Sequence, residues 1–255
     1  MPSPRSPIAW PRDSFRISLS LVAALGAVGV VLVSGLLAVF VGLFTGQLSR
    51  VAMMQQPARI PADFTLWSQF AVYVPIIAYL LLVIRPVSGL SFRDLGIRAP
   101  GPRDLAVGIG GAAAMWVAVT ATGAIVHLVT HRDDTEAAIE LLRMIKTPAE
   151  HIEFVVIAVV LAPLVEEFAF RVFAFNAFLR WTPLWVAAVA SSILFGLVHA
   201  QTPGQIVTVG TPLVAGGIVL AYVYARTRCY WSSVLAHALF NSVSVILVFV
   251  FHVKT

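Results

Sequence analysis

Charge is scarce in this chain. Only 11% of its 255 residues are Asp, Glu, Lys or Arg, against about 25% in soluble domains. Hydrophobic residues make up 59% and the mean hydropathy is +0.91. A water-soluble globule is excluded, and a polytopic protein of the lipid bilayer is what remains. The single cysteine, Cys229, rules out an intramolecular disulfide and leaves no redox or zinc-knuckle motif. No internal repeat and no low-complexity stretch is visible. The net charge of +5 gives no reason to expect a nucleic-acid partner, because the basic residues lie mostly in short loops, where they set membrane topology.

Long apolar runs fill most of the chain. The pattern predicts spans near Ile17–Phe44, Trp67–Ile84, Leu105–Thr130, Ile152–Leu179, Pro183–His199, Ile206–Ala225 and Tyr230–Phe251. The expected fold is all-α, a transmembrane helix bundle of about seven to eight spans. The first run is too long for a signal-peptide core and reads as an uncleaved span. Its Gly26, Gly29 and Gly35 suit close helix contacts. Trp67, Tyr73, Trp181, Trp185 and Trp231 read as interfacial anchors. With a cytoplasmic N-terminus, Arg85, Arg93, Arg98 and Arg103, then Arg180, then Arg226 and Arg228, all fall on the cytoplasmic side. The acidic His131–Glu150 segment falls outside, with room for a short surface helix. The positive-inside rule is met by that orientation.

Polar groups inside the runs are few, and no Asp lies within any of them. The exception that organises the chain is Glu166-Glu167-Phe-Ala-Phe-Arg171. One charged side chain at mid-membrane costs on the order of 2.5–3.5 kcal/mol, so three together mark a functional site. On a helix Glu167 and Arg171 share a face and can pair, whereas Glu166 points about 100° away and has no local partner. An unpaired, desolvated carboxylate is suited to act as general base or metal ligand. Pro163, just upstream, removes a backbone donor and tends to kink the helix. His199 closes the fifth run, and His237 and Asn241 share a face of the seventh. His127, His131, His151 and His252 sit at span ends or in loops and read as solvated, and Asn176 as a packing contact.

Glu and His side chains can activate a water as general base. Two histidines and a glutamate can also hold zinc with one position left for water. His and Asn side chains can donate to an oxyanion. Together these point to hydrolysis of an acyl bond, most simply in a peptide.

In order and spacing, Glu166-Glu167-x-x-x-Arg171, Phe195-x-x-x-His199 and His237-x-x-x-Asn241 resemble the CPBP family, which comprises type II CAAX prenyl endopeptidases and bacterial bacteriocin-processing or Abi-type membrane proteins. The stretch Leu90–Arg98 resembles a loop upstream of that domain. Val172 stands where many relatives carry Gly. The resemblance implies an intramembrane endopeptidase, called a metalloprotease in that family, with a polar cavity among its helices. By resemblance, Glu166 and His199 activate water, His237 and Asn241 stabilise the oxyanion, and Glu167 and Arg171 orient the site and balance its charge. Zinc on Glu166, His199 and His237, or a metal-free water, both stay open, and so does the substrate, a peptide or a protein C-terminus, prenylated or not. The implied division is an N-terminal part, residues 1–89, with two helices, and a catalytic membrane domain, 90–255. The expected location is the cell membrane.

Two other classes compete. A non-catalytic scaffold or immunity protein of the same fold would be expected to have lost a motif residue. A proton-coupled transporter would favour inverted repeats with broken helices. Other intramembrane protease signatures, His-Glu-x-x-His, Gly-x-Gly-Asp and Gly-x-Ser-Gly in a span, are absent.

Overall fold

The computed structural model describes residues 17–46, 62–132, 134 and 136–251. His252 lies outside them. Eight helices form among the described residues. They are α1 (Ile17–Phe44), α2 (Ala62–Ser88), α3 (Pro102–Thr130), α4 (Ala137–Met144), α5 (148–179), α6 (Leu184–His199), α7 (206–227) and α8 (Tyr230–Phe251). The expected all-helical membrane bundle is what the chain forms. Five helices, α1, α2, α3, α7 and α8, are long and apolar enough to cross a bilayer. At 16 residues, α6 is only about 24 Å long.

Helix starts follow local chemistry. Thr147 caps α5 by accepting from the Glu150 N–H, and Glu150 reaches back to the Thr147 N–H, so two otherwise unpaired donors are satisfied. Pro148 at the first helical position loses nothing by lacking an N–H. At the start of α3 only half of that arrangement forms: Asp104 accepts from the Gly101 N–H at 2.9 Å, and Gly101, followed again by a proline, has no side chain to return a bond. Arg98 pairs with Asp104 at 2.7 Å and donates to the Thr227 carbonyl. The Leu90–Arg98 loop is thereby pinned to the end of α7. Gly96 in that loop has φ +82°, and a Cβ there would lie 3.0 Å from the Arg228 carbonyl.

Helix α5 runs through Pro163 without interruption. The disturbance expected at Pro163 takes the form of a change of register: α-helical turns alternate with π-helical ones at Val156–Leu161 and Phe168–Phe175. The Glu pair sits on the α-helical segment between them, Ala162–Glu167. Single π turns inside α-helices are frequent at functional sites.

The core gathers around α5. Ile84, Leu95, Phe168, Val172, Phe175, Ala187, Ala221 and Tyr224 are buried in one cluster. On the outside, Leu82, Val117, Val198 and Trp185 are exposed by more than three-fifths, the apolar belt expected of a protein surrounded by lipid. Of the three glycines assigned to helix contacts in α1, only Gly26 is close to a neighbour: a Cβ there would collide with the Tyr79 hydroxyl, whereas Gly29 and Gly35 have open space. Tyr73 is not an interfacial anchor; its hydroxyl turns inward.

Candidate active site

Three helices bring the predicted residues together. Glu166, Glu167 and Arg171 come from α5, His199 from the C-terminal end of α6, and His237 and Asn241 from α8. Glu167 and Arg171 are fully buried, and their Oε2 and Nε lie 3.2 Å apart. The remaining Glu167 oxygen, Oε1, lies 3.0 Å from His237 Nδ1. The Arg171 guanidinium also stands 5.0 Å from the centre of the Phe195 ring, on whose edge His237 packs. A buried carboxylate needs compensation at each oxygen: Oε2 has the Arg171 charge, the pairing that the i,i+4 spacing predicts, and Oε1 has His237.

Glu166 faces a different direction, also as predicted. Its Oε2 lies 3.7 Å from His199 Nε2 and 3.9 Å from His237 Nε2. The tautomers follow from the other ring nitrogens. His199 Nδ1 is 2.7 Å from the Phe195 carbonyl, which only accepts, so Nδ1 carries the proton. His237 Nδ1 faces the Glu167 carboxylate, which also accepts. Both rings therefore turn Nε2 toward one oxygen of Glu166, at separations too long for direct hydrogen bonds and suited to a bridging water.

Two residues join the site without having been signalled. The Tyr73 hydroxyl, from α2, donates to Glu166 Oε1 at 3.3 Å. Glu136, just before α4, places Oε1 3.9 Å from His199 Nε2. Desolvation raises its carboxyl above the ordinary range. The acidic His131–Glu150 segment thus folds back over the site, and Asp134 of the same segment accepts from Thr208 of α7 at 2.8 Å. A tyrosine amid apolar residues and one acid among several in a loop carry no spacing that would single them out.

Asn241 is placed differently from its partners. Its Nδ2 donates to the Ala158 carbonyl of α5 at 2.7 Å. Asn176 makes the packing contact expected of it, donating to the Val172 carbonyl and the Tyr224 hydroxyl.

The donor chemistry of Glu166, His199 and His237 suits zinc. Their placement is wider than the edge of about 3.4 Å that a tetrahedral site with ~2.1 Å bonds requires. Among the described residues no three His, Cys, Asp or Glu side chains are grouped to hold an ion.

Residues 148–243 match the family model described as type II CAAX prenyl endopeptidase Rce1-like. This is the family that the ordered motifs resemble. The matched segment contains all six predicted site residues, whereas Tyr73 and Glu136 lie outside it. A curated relative, "Putative membrane peptidase YdiL" of Bacillus subtilis (strain 168), is 27% identical over 115 residues, 45% of this chain and 43% of its own length. The match therefore spans less than half of that relative. No solved structure matches.

Proposed function

We propose that the chain is a membrane endopeptidase whose nucleophile is a water held by Glu166, His199 and His237. The observation that carries this is one carboxylate oxygen facing two imidazole Nε2 atoms at 3.7 and 3.9 Å. Glu166 takes a proton as the water oxygen attacks the peptide carbonyl carbon. The oxyanion is stabilised by His237 in its doubly protonated form, Nε2–H donating to it while Nδ1–H is held by Glu167. The tetrahedral intermediate expels the amine as Glu166 returns the proton to its nitrogen, and the C–N bond breaks. The low-dielectric interior strengthens each of these interactions. The match to a CAAX prenyl endopeptidase family model favours a C-terminal peptide substrate; a prenylated tail and a plain peptide are the two forms to compare. We place the protein in the cell membrane with its N-terminus in the cytoplasm, on the distribution of arginines among the loops, and assign catalysis to residues 90–255.

Zinc on Glu166, His199 and His237 is the variant of this reading that the donor chemistry supports. The test is cleavage of prenylated and unprenylated peptides by the purified protein in detergent. Glu166→Gln is expected to abolish turnover of whichever substrate is cut. Unchanged turnover in that variant would remove Glu166 from the mechanism. Loss with a chelator and recovery with Zn²⁺ would establish the metal.

A further inference from the structure

Helix α5 has one proline at its centre and two ways to arrange the backbone around it. In an α-helix each N–H bonds the carbonyl four residues back, so Pro163 would orphan the carbonyl of Val159. In a π turn the reach is five residues, so Pro163 orphans Ala158 instead. The structure has the second arrangement. The Ala162 N–H reaches back to the Ile157 carbonyl, and Val156–Leu161 is π-helical. The next bond in that register would run from residue 163 to Ala158, and proline has no N–H to make it.

The Ala158 carbonyl accepts instead from Asn241 Nδ2 at 2.7 Å. We propose that Asn241 is a positioning residue which selects the π register of α5 by supplying the donor that Pro163 lacks. A buried carbonyl without a partner is costly, so satisfying Ala158 rather than Val159 tips the choice. The consequence is rotational. Losing the extra residue of the π turn shifts everything after it by one position, about 100° around the helix axis. Glu166 would then leave His199 and His237, and Val165 would move toward their place. The bond from Tyr230 Oη to the Leu164 carbonyl, 2.6 Å, ties the next turn of α5 to the same helix, α8, that carries His237 and Asn241.

The inference uses the peptidase reading only for its kinetic test; the thermal test stands apart from it. Asn241→Ala is expected to lower Tm in detergent by about 2–6 °C. In a Pro163→Ala background, where residue 163 regains an N–H, the same substitution is expected to cost much less. An equal loss in both backgrounds would overturn the proposal. If Pro163→Ala does not fold, Asn241→Asp at pH 8 decides: a carboxylate cannot donate, so its Tm should fall at least as far as that of Asn241→Ala, and a wild-type Tm would overturn the proposal. In cleavage assays, Tyr73→Phe should cost little once Asn241 is Ala, because Glu166 has already left the Tyr73 hydroxyl. A purely structural or oxyanion role for Asn241 leaves the two penalties multiplying. Absence of cleavage in the wild type would count against the peptidase reading and leave the thermal comparison to decide this one.

Discussion

The Tyr73 hydroxyl lies 3.3 Å from Oε1 of Glu166, 93 positions away in the chain. It occupies the carboxylate oxygen that the histidines do not face, and so fixes which oxygen is turned to them. A hydrogen bond to a charged group contributes about 1.5–3 kcal/mol, and this one is longer than the ~2.7–2.8 Å of a strong O–H···O bond. The lower end of that range applies. Tyr73→Phe should therefore reduce kcat by roughly tenfold with little change in Tm. Steady-state cleavage kinetics check this, and an unchanged kcat would make the contact incidental.

The Glu167–Arg171 pair should behave as a buried ion pair whose halves cannot be removed singly. Both side chains have no exposed surface, and Arg171 Nη1 and Nη2 have no hydrogen-bond partner among the described residues. Arg171→Ala leaves the Glu167 charge with the His237 Nδ1–H as its remaining partner. Breaking a buried pair costs about 3–5 kcal/mol, and Arg171→Ala should fall in that range by unfolding in detergent. Removing both charges, Glu167→Gln with Arg171→Met, should cost less than the sum of the single changes. Additive losses would show that the two groups do not interact.

Much of this was legible in the sequence because membrane insertion penalises charge. Glu166, Glu167 and Arg171 stand out against Phe168, Ala169 and Phe170, and helical spacing alone separates the pairing carboxylate from the free one. Helix starts were less plain: the apolar runs begin at Ile152 and Leu105, whereas the helices begin at Pro148 and Pro102, because the capping turns are polar and hydropathy does not register them. Tertiary choices were not legible. Nothing local says that Tyr73 turns inward while Trp67 stays exposed, or that Glu136 among several loop acids reaches His199. Pro163 announced a disturbed helix, but not whether its missing donor would leave an α-helical or a π-helical turn before it. Which one forms depends on Asn241, 83 residues away from the carbonyl it bonds.

Acid should weaken the start of α5 through one residue. The Thr147 and Lys146 N–H groups hold the Glu150 carboxyl below its ordinary range, with bonds of 2.8 and 2.9 Å. A carboxylate favoured by folding stabilises above its unfolded pKa, about 4.3, and that contribution disappears as pH falls through the lower folded value. Glu150→Ala should lower Tm at pH 7, and the gap to wild type should narrow below about pH 4. Thermal unfolding across pH measures it. A gap that is independent of pH would mean that the charge of Glu150 contributes nothing.

His199 depends on a close crossing three residues before it. A Cβ on Gly196 would stand 2.5 Å from the Gly210 carbonyl and 2.7 Å from the Val214 side chain. The first contact is with backbone, so α6 and the π-helical first turn of α7 must separate to admit a methyl group. Overpacking of this kind costs about 1–3 kcal/mol, and the displaced helix carries His199 with it. Gly196→Ala should therefore lose both stability and turnover. Gly29→Ala is the control: its position has open space, and Ala is the better helix former, so stability should hold or rise. Unfolding and cleavage measured on the two variants separate a specific crossing from a general intolerance of lost glycine. If Gly196→Ala cleaves like wild type, His199 is held by something other than this crossing.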